Sequence, residues 1–418
     1  MTSGVPVWEM RTLCSMRPPA LYSVFEAFAR RLPALCWFLG SWGGPAEYGI
    51  ASDMLADGFD LKPSKTPKSA SEREAILKGS LGFGRLFTEH MVTIRYANGG
   101  WQKGELVPYG PITLDPAASV LHYGQAIFEG FKAYRQPDGS IATFRPEANG
   151  KRFAASARRL AMPELPVELF VEASDVLLRH EAEWVPSGAG ESLYLRPLMI
   201  ATEAALGVKP AREYSFLLFG SPSGDYFPQG VKPISLWLCT DYVRAAPGGT
   251  GEAKCAGNYA ASLVAQQKAI DEGCVQVIWL DAVERRWIEE MGGMNLFFVY
   301  KDGAGHKLVT PQLTGTLLAG VTRDSLLKLA ADLGYGIEER MISVQDWEQG
   351  QKDGSLIEVF ACGTAAVITP VGEVKFDGGK WDINGGEFGP HARKLRESLL
   401  AIQYGQSPDK HGWMHRVP

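Results

Sequence analysis

Runs that read as β-strands outnumber runs that read as helices in this 418-residue chain, and the two kinds do not alternate regularly. That irregular order constrains the fold most, because a doubly wound parallel sheet needs strand and helix to follow one another in turn. The expected class is α+β. Strand-like runs span 86–96 and 101–108, around the turn-forming Ala97-Asn98-Gly99-Gly100, and then 192–202, 214–220, 234–243 and 275–280. Residues 287–300 read as a strand pair or a bulged strand around Gly292-Gly293, and 356–369 as strand-like with a turn at Cys362-Gly363-Thr364. Helical runs are read at 151–160, 259–272, 322–333 and 391–404.

A chain of this length exceeds what one core normally supports, so two domains are expected. The turn formers of 221–230 suit a linker, placing a small domain at 54–220 and a large one at 231–418. Residues 1–53, with scattered Trp, Pro and Gly and no sustained period, read as a disordered appendage or a start codon called too early. A formal net charge of -5 calls for neither nucleic acid nor an anionic membrane, which leaves small molecules as the default substrates. The six cysteines make no Cys-x-x-Cys pair, which argues against zinc and redox dithiols and suits a reducing cytoplasm. The seven histidines never approach at ligand spacing, so no metal is expected, and no apolar run is long enough to cross a bilayer.

Against that background one lysine stands out. Lys254 lies in Pro247-Gly-Gly-Thr-Gly-Glu-Ala-Lys-Cys-Ala-Gly-Asn-Tyr259, between a strand-like and a helix-like run. A nucleotide phosphate loop needs Gly-Lys-Ser/Thr, whereas Ala253 precedes and Cys255 follows this lysine, so that pattern fails. An amine held by glycine-rich backbone can lose its proton and attack a carbonyl. On the local sequence alone, a plain surface lysine carries equal weight. Such a nucleophile usually serves pyridoxal phosphate, which also needs a phosphate anchor, an acid for the ring nitrogen and a donor for the ring oxygen.

The sequence offers candidates for all three. Glu290 is read on one strand face with Ile288, Met294, Leu296 and Phe298, where a carboxylate calls for a cation, unless the glycine pair shifts the parity, and Glu289 is its rival. Gly320-Val321-Thr322 opens a helix and Thr364 lies in a turn, each able to meet an anion, although a plain helix cap explains the first equally well. Arg152, beside Lys151, Arg158 and Arg159, has a phosphate-matching fork or lies on a solvated basic face. Tyr259 is a ring-oxygen donor or a core aromatic.

Leu121-His-Tyr-Gly-Gln-Ala-Ile-Phe-Glu-Gly-Phe-Lys-Ala-Tyr134, Leu193-Tyr-Leu-Arg-Pro197, Lys254-Cys-Ala-Gly-Asn-Tyr259, Glu290-Met-Gly-Gly-Met-Asn295 and Gly320-Val-Thr-Arg323 occur in one order. In that order they resemble the branched-chain amino acid aminotransferases, fold-type IV pyridoxal phosphate enzymes, and most of all their actinobacterial type. The resemblance covers nearly all of 54–418. It implies a smaller α/β N-terminal domain, a larger pseudo-barrel C-terminal domain, and a homodimer whose active sites are completed across the interface. It makes Lys254 the Schiff-base lysine, Tyr259 the ring-hydroxyl partner and Glu290 the ring-nitrogen partner, and sets Arg152, Val321, Thr322 and Thr364 around the phosphate of pyridoxal 5'-phosphate. It lines the substrate pocket with Phe83, Tyr123, Phe128, Tyr194 and Val208, and gives Arg196, Ala365 and Ala366 to its carboxylate-receiving side. The substrates implied are amino acids and 2-oxo acids.

Two departures stand out: Gly293 replaces a threonine of some relatives, and no Cys-x-x-Cys follows Thr364, which excludes the redox switch of the mammalian enzymes. Within the fold the rivals are a D-amino acid transaminase and an aminodeoxychorismate lyase, both disfavoured by the intact Leu-Tyr-Leu-Arg-Pro and Phe-Glu-Gly-Phe-Lys-Ala segments. A non-catalytic binding protein on the same scaffold is the rival of another class, expected to lose the lysine or the acid.

Overall fold

The computed structural model describes residues 58–224 and 230–418. The expected appendage at 1–53 and the middle of the expected linker, 225–229, lie outside the described residues. The described chain contains two large sheets with helices packed on them, in an order that does not alternate.

The first sheet uses β1 (Asp60–Leu61), β2 (His90–Ala97), β3 (Gly100–Trp101), β4 (Glu105–Pro108), β5 (Ala126–Phe128), β6 (Phe131–Arg135), β7 (Ile141–Phe144), β8 (Ser192–Ala201) and β9 (Tyr214–Ser223). Its spine runs β1-β4-β2-β9-β8-β6-β7, with β3 on β2 and β5 on β8. The expected strand 101–108 is broken, because Gly104 is where the Phe59 ring packs: a Cβ there would lie 2.2 Å from it. Among the described residues four α-helices belong to this half: α1 (Ala70–Leu77), α2 (Ser119–Tyr123), α3 (Pro146–Arg159) and α4 (Val167–His180). Helix α3 starts earlier than the expected 151, with Pro146 at its first position, where a proline loses no internal hydrogen bond. Helix α4 buries Leu169, Phe170, Ala173, Leu177 and Leu178, a helical stripe, and the Phe170 ring lies 5.5 Å from that of Phe153 on α3.

The second sheet uses β10 (Ile234–Leu238), β11 (Gln276–Leu280), β12 (Ile288–Met291), β13 (Met294–Asp302), β14 (Gly305–Pro311), β15 (Gly336–Arg340), β16 (Leu356–Gly363), β17 (Val367–Phe376) and β18 (Gly379–Asp382). Its path runs β12-β11-β10-β17-β16-β13, and β12 also pairs with β13, so these strands close into a barrel. Around it lie α5 (Ala256–Ala260), α6 (Leu263–Asp271), α7 (Val321–Asp332), α8 (Val344–Asp353) and α9 (Pro390–Gln403). The expected helix 259–272 is two helices, α5 and α6, separated at Ala261-Ser262. The last strand, β19 (Met414–Arg416), returns to pair with β7 of the first sheet.

Closure gives the barrel an inside and an outside. Leu236, Ile278, Leu296, Phe298, Val359 and Val371 pack together with Trp347 of α8. Their neighbours Phe297 and Phe360 point the other way, onto Tyr134 and Phe144 of the first sheet and Leu326 and Leu395 of α7 and α9. The two sheets therefore share a core. The pairing Met291↔Met294 leaves Gly292-Gly293 as a two-residue turn, and Glu290 pairs with Asn295. Cross-strand partners share a face, so Glu290 lies on the Asn295 and Phe297 side. The expectation that it shares a face with Met294, Leu296 and Phe298 is corrected by that turn.

Candidate active site

The segment carrying Lys254 is laced to the first sheet. Phe128 N–H donates to the Lys254 carbonyl at 3.0 Å, Ile127 bridges Cys255, and Lys254 N–H donates to Ser156 Oγ of α3 at 2.9 Å. The loop is also braced from within: Asn258 Nδ2 donates to the carbonyls of Thr250 and Ala253, both at 2.8 Å, and accepts the Thr250 hydroxyl at Oδ1. This is fixed backbone rather than a free surface loop.

Its side chain donates from Nζ to Tyr259 Oη at 2.9 Å and lies 4.8 Å from the centre of the Phe128 ring. Burial, and then the Arg152 charge, hold the amine below the ordinary lysine range. Burial pushes the Tyr259 hydroxyl up to about 12, helped by the Glu290 charge. Together these ease loss of the lysine proton beside a hydroxyl that keeps its own.

Glu290 is 1% exposed. One carboxylate oxygen accepts the Leu318 N–H, and Oε2 lies 3.3 Å from Arg244 Nε. Burial raises its pKa, while Arg244, the Leu318 N–H and Lys254 act the other way. Its rival Glu289 takes the hydroxyl of Thr316 instead.

Arg152 reaches the same region from α3. It grips the fully buried Glu129 with two parallel bonds of 2.7 Å and donates to the Ala319 carbonyl at 3.1 Å, just before α7. Val321 and Thr322 open that helix, and with Gly363 and Thr364 they line one small cavity. The first N–H groups of a helix have no partner within it, so this turn attracts anions.

The remaining candidates divide into two groups. Phe83 stacks edge-on against Tyr194 at 5.0 Å, and Arg196 donates to Tyr194 Oη at 3.3 Å with its guanidinium 5.0 Å from the Phe128 ring. Arg196 Nε is buried without a partner among the described residues. The Ala365 carbonyl, followed by Ala366, accepts from Lys132 Nζ at 2.8 Å. Tyr123 and Val208 stand apart from this group: Tyr123 donates its hydroxyl to the Leu206 carbonyl and is 42% exposed, and Val208 is 85% exposed. Glu129 and Arg244 were not expected from the sequence. The signal for Glu129 was a carboxylate inside the apolar run Ala126-Ile-Phe-Glu-Gly-Phe131.

Residues 126–374 match the family model described as amino-transferase class IV. The chain belongs to the class IV aminotransferases. Among relatives of this family member, a Streptomyces coelicolor protein named as a probable branched-chain-amino-acid aminotransferase is 61% identical over 366 residues, covering 87% of this chain and 100% of that protein. A branched-chain-amino-acid aminotransferase of Mycolicibacterium smegmatis is 56% identical, covering 86% of this chain and 98% of its own. The solved branched-chain amino acid aminotransferase of Escherichia coli superposes with a TM-score of 0.65 at 28% identity, over 79% of this chain and 100% of that one. The fold is thus that of the fold-type IV aminotransferases, with the closed barrel of β10, β11, β12, β13, β16 and β17 in its second half.

Proposed function

We propose that this class IV aminotransferase moves the amino group between L-leucine, L-isoleucine or L-valine and 2-oxoglutarate in a ping-pong cycle with pyridoxal 5'-phosphate. The observation that carries the reading is the Lys254 amine, held below its ordinary pKa and 2.9 Å from Tyr259 Oη, beside the buried Glu290, in a chain 61% identical to a protein bearing that name.

The donor set fits the cofactor: a buried carboxylate for the ring nitrogen, a hydroxyl for the ring oxygen, and Arg152 with the α7 N-terminus and Thr364 for the phosphate. Bound there, the cofactor supplies an aldehyde that receives the amino group and a ring that withdraws electrons. Lys254, whose amine burial holds below the ordinary lysine range, is the nucleophile and then the base that moves the proton at the substrate alpha carbon. Glu290, with Arg244 and the Leu318 N–H opposing the effect of its burial, would hold a proton on the ring nitrogen. Phe83, Phe128 and Tyr194 exclude water around an aliphatic side chain, and Arg196, with an unpartnered buried Nε, receives a carboxylate beside Ala365 and Ala366.

The reading includes a homodimer. Tyr123 and Val208 lie with Leu121 and Leu206, which are 59% and 67% exposed, and an apolar edge of this kind suits a partner subunit. It also includes a small domain at 54–220 and a large one at 231–418, supported by the two sheets, with β19 crossing back. The cytoplasm suits the four described cysteines, all free and buried.

With added pyridoxal 5'-phosphate, purified protein is expected to convert L-leucine and 2-oxoglutarate to glutamate and the branched 2-oxo acid. No turnover with any amino acid contradicts the enzyme. Faster turnover of D-alanine than L-leucine contradicts the substrate assignment alone.

A further inference from the structure

Arg244 follows β10, and its side chain is 7% exposed. Its Nε lies 3.3 Å from Glu290 Oε2. Nη2 donates to the carbonyls of Gly251, at 3.2 Å, and of Thr316. The two carbonyls converge because Gly251 has no side chain: a Cβ there would lie 2.4 Å from the Thr316 oxygen. Gly251 precedes Lys254 by three residues, and Thr316 precedes Leu318, whose N–H holds the other Glu290 oxygen. One guanidinium therefore joins the acid strand, the lysine loop and the segment entering α7.

We propose that Arg244 is a positioning residue of this site, keeping the Glu290 carboxylate ionised and aimed and fixing it relative to the Lys254 loop. The inference rests on Glu290 being the cofactor's ring-nitrogen partner. The titratable and charged groups facing Glu290 are Arg244 itself, Lys254 on its loop, Tyr259 on α5, Glu289 on β12 and Cys362 on β16. Of the two cations, Lys254 is held below its ordinary range by burial, whereas a guanidinium keeps its charge across the whole working range. Arg244 is thus the permanent counter-charge. Its Nη2 serves two carbonyls while its Nε, without a hydrogen-bond partner among the described residues, lies close to the carboxylate, an arrangement that an ammonium on a flexible stem does not reproduce. A carboxylate has lone pairs enough for Arg244, Leu318 and a ring N–H together.

The test is the affinity of the full-length apoprotein for pyridoxal 5'-phosphate, read by tryptophan fluorescence and cofactor absorbance. Arg244→Met is expected to weaken binding about tenfold at neutral pH, the size of one lost charge interaction. The deficit should grow from about pH 8 to about pH 6, because Glu290 without its counter-charge takes up a proton as pH falls. In a Glu290→Gln background that pH-dependent part should vanish. A loss equal at every pH, or unchanged in the Glu290→Gln background, overturns the proposal and leaves Arg244 a backbone clamp. If Arg244→Met does not fold, Arg244→Lys decides: several-fold weaker binding without the steep pH dependence supports the proposal, and wild-type affinity overturns it. Wild-type protein that binds no cofactor overturns the underlying reading, a result distinguishable from any failure of Arg244.

Discussion

At the scale of single residues, the site depends on burial acting in opposite senses on two neighbouring groups. The lysine whose folded pKa lies below its unfolded value makes the apoprotein less stable at neutral pH, since the unfolded chain binds a proton the folded chain resists. Apo Lys254→Met is therefore expected to melt above apo wild type near pH 8, with the gap closing above about pH 10, where a free lysine also loses its proton. Calorimetry across that range checks it, and a gap independent of pH contradicts it. Tyr259→Phe removes the 2.9 Å bond to Lys254 and should lower kcat about fivefold to tenfold, the effect of one net hydrogen bond. From the sequence, Lys254 and Glu290 were singled out because each stands in one of the five family segments, and Arg152, outside them, only through the resemblance. Arg244 was not, since its role is set by carbonyls 7 and 72 residues away that meet only in the folded chain.

At the scale of elements, small residues decide where the functional side chains point. The face assigned to Glu290 missed because strand parity holds along a continuous strand but is reflected by a two-residue turn, and the sequence Gly292-Gly293 does not decide between them. The start of α3 was missed because Asn149 and Gly150 dilute its helical pattern, while Gly150 is needed where Phe170 and Val167 come within 3.2 Å of a Cβ. Gly130, between β5 and β6, makes a sharper test: a Cβ there would lie 1.8 Å from Tyr194 Oη. Gly130→Ala should fold, displace Tyr194 and its bond to Arg196, and raise KM for leucine more than it weakens cofactor binding. The Glu129–Arg152 pair holds β5 to α3. Glu129→Ala leaves the partly buried Arg152 unpaired and should destabilise the protein by about 3 kcal/mol in urea unfolding, as expected for half of a broken buried pair.

At the scale of the whole molecule, the barrel carries Glu290 and α7 packs around it, the half with the first sheet carries Arg152 on α3 with Phe128 and Arg196, and the Lys254 loop is bonded to that half. The strand content and the lack of alternation were readable from the sequence. The closure of the barrel was not: the β12–β13 pair was one of two readings of 287–300, but the parallel pairing of β10 with β17 joins segments far apart in the chain and leaves no local pattern. Val208→Asp on the exposed edge should convert a dimer to a monomer in light scattering and abolish leucine turnover, with pyridoxal 5'-phosphate binding retained. Protein beginning at Met54 should keep both dimer and activity, since the matched region already spans 100% of the Streptomyces relative. The central claim, that Lys254 is the cofactor's nucleophile, is tested most directly by borohydride reduction of the cofactor-loaded protein followed by peptide mass spectrometry. A phosphopyridoxyl group on Lys254 alone is predicted; a group on another lysine, or on none, contradicts the account.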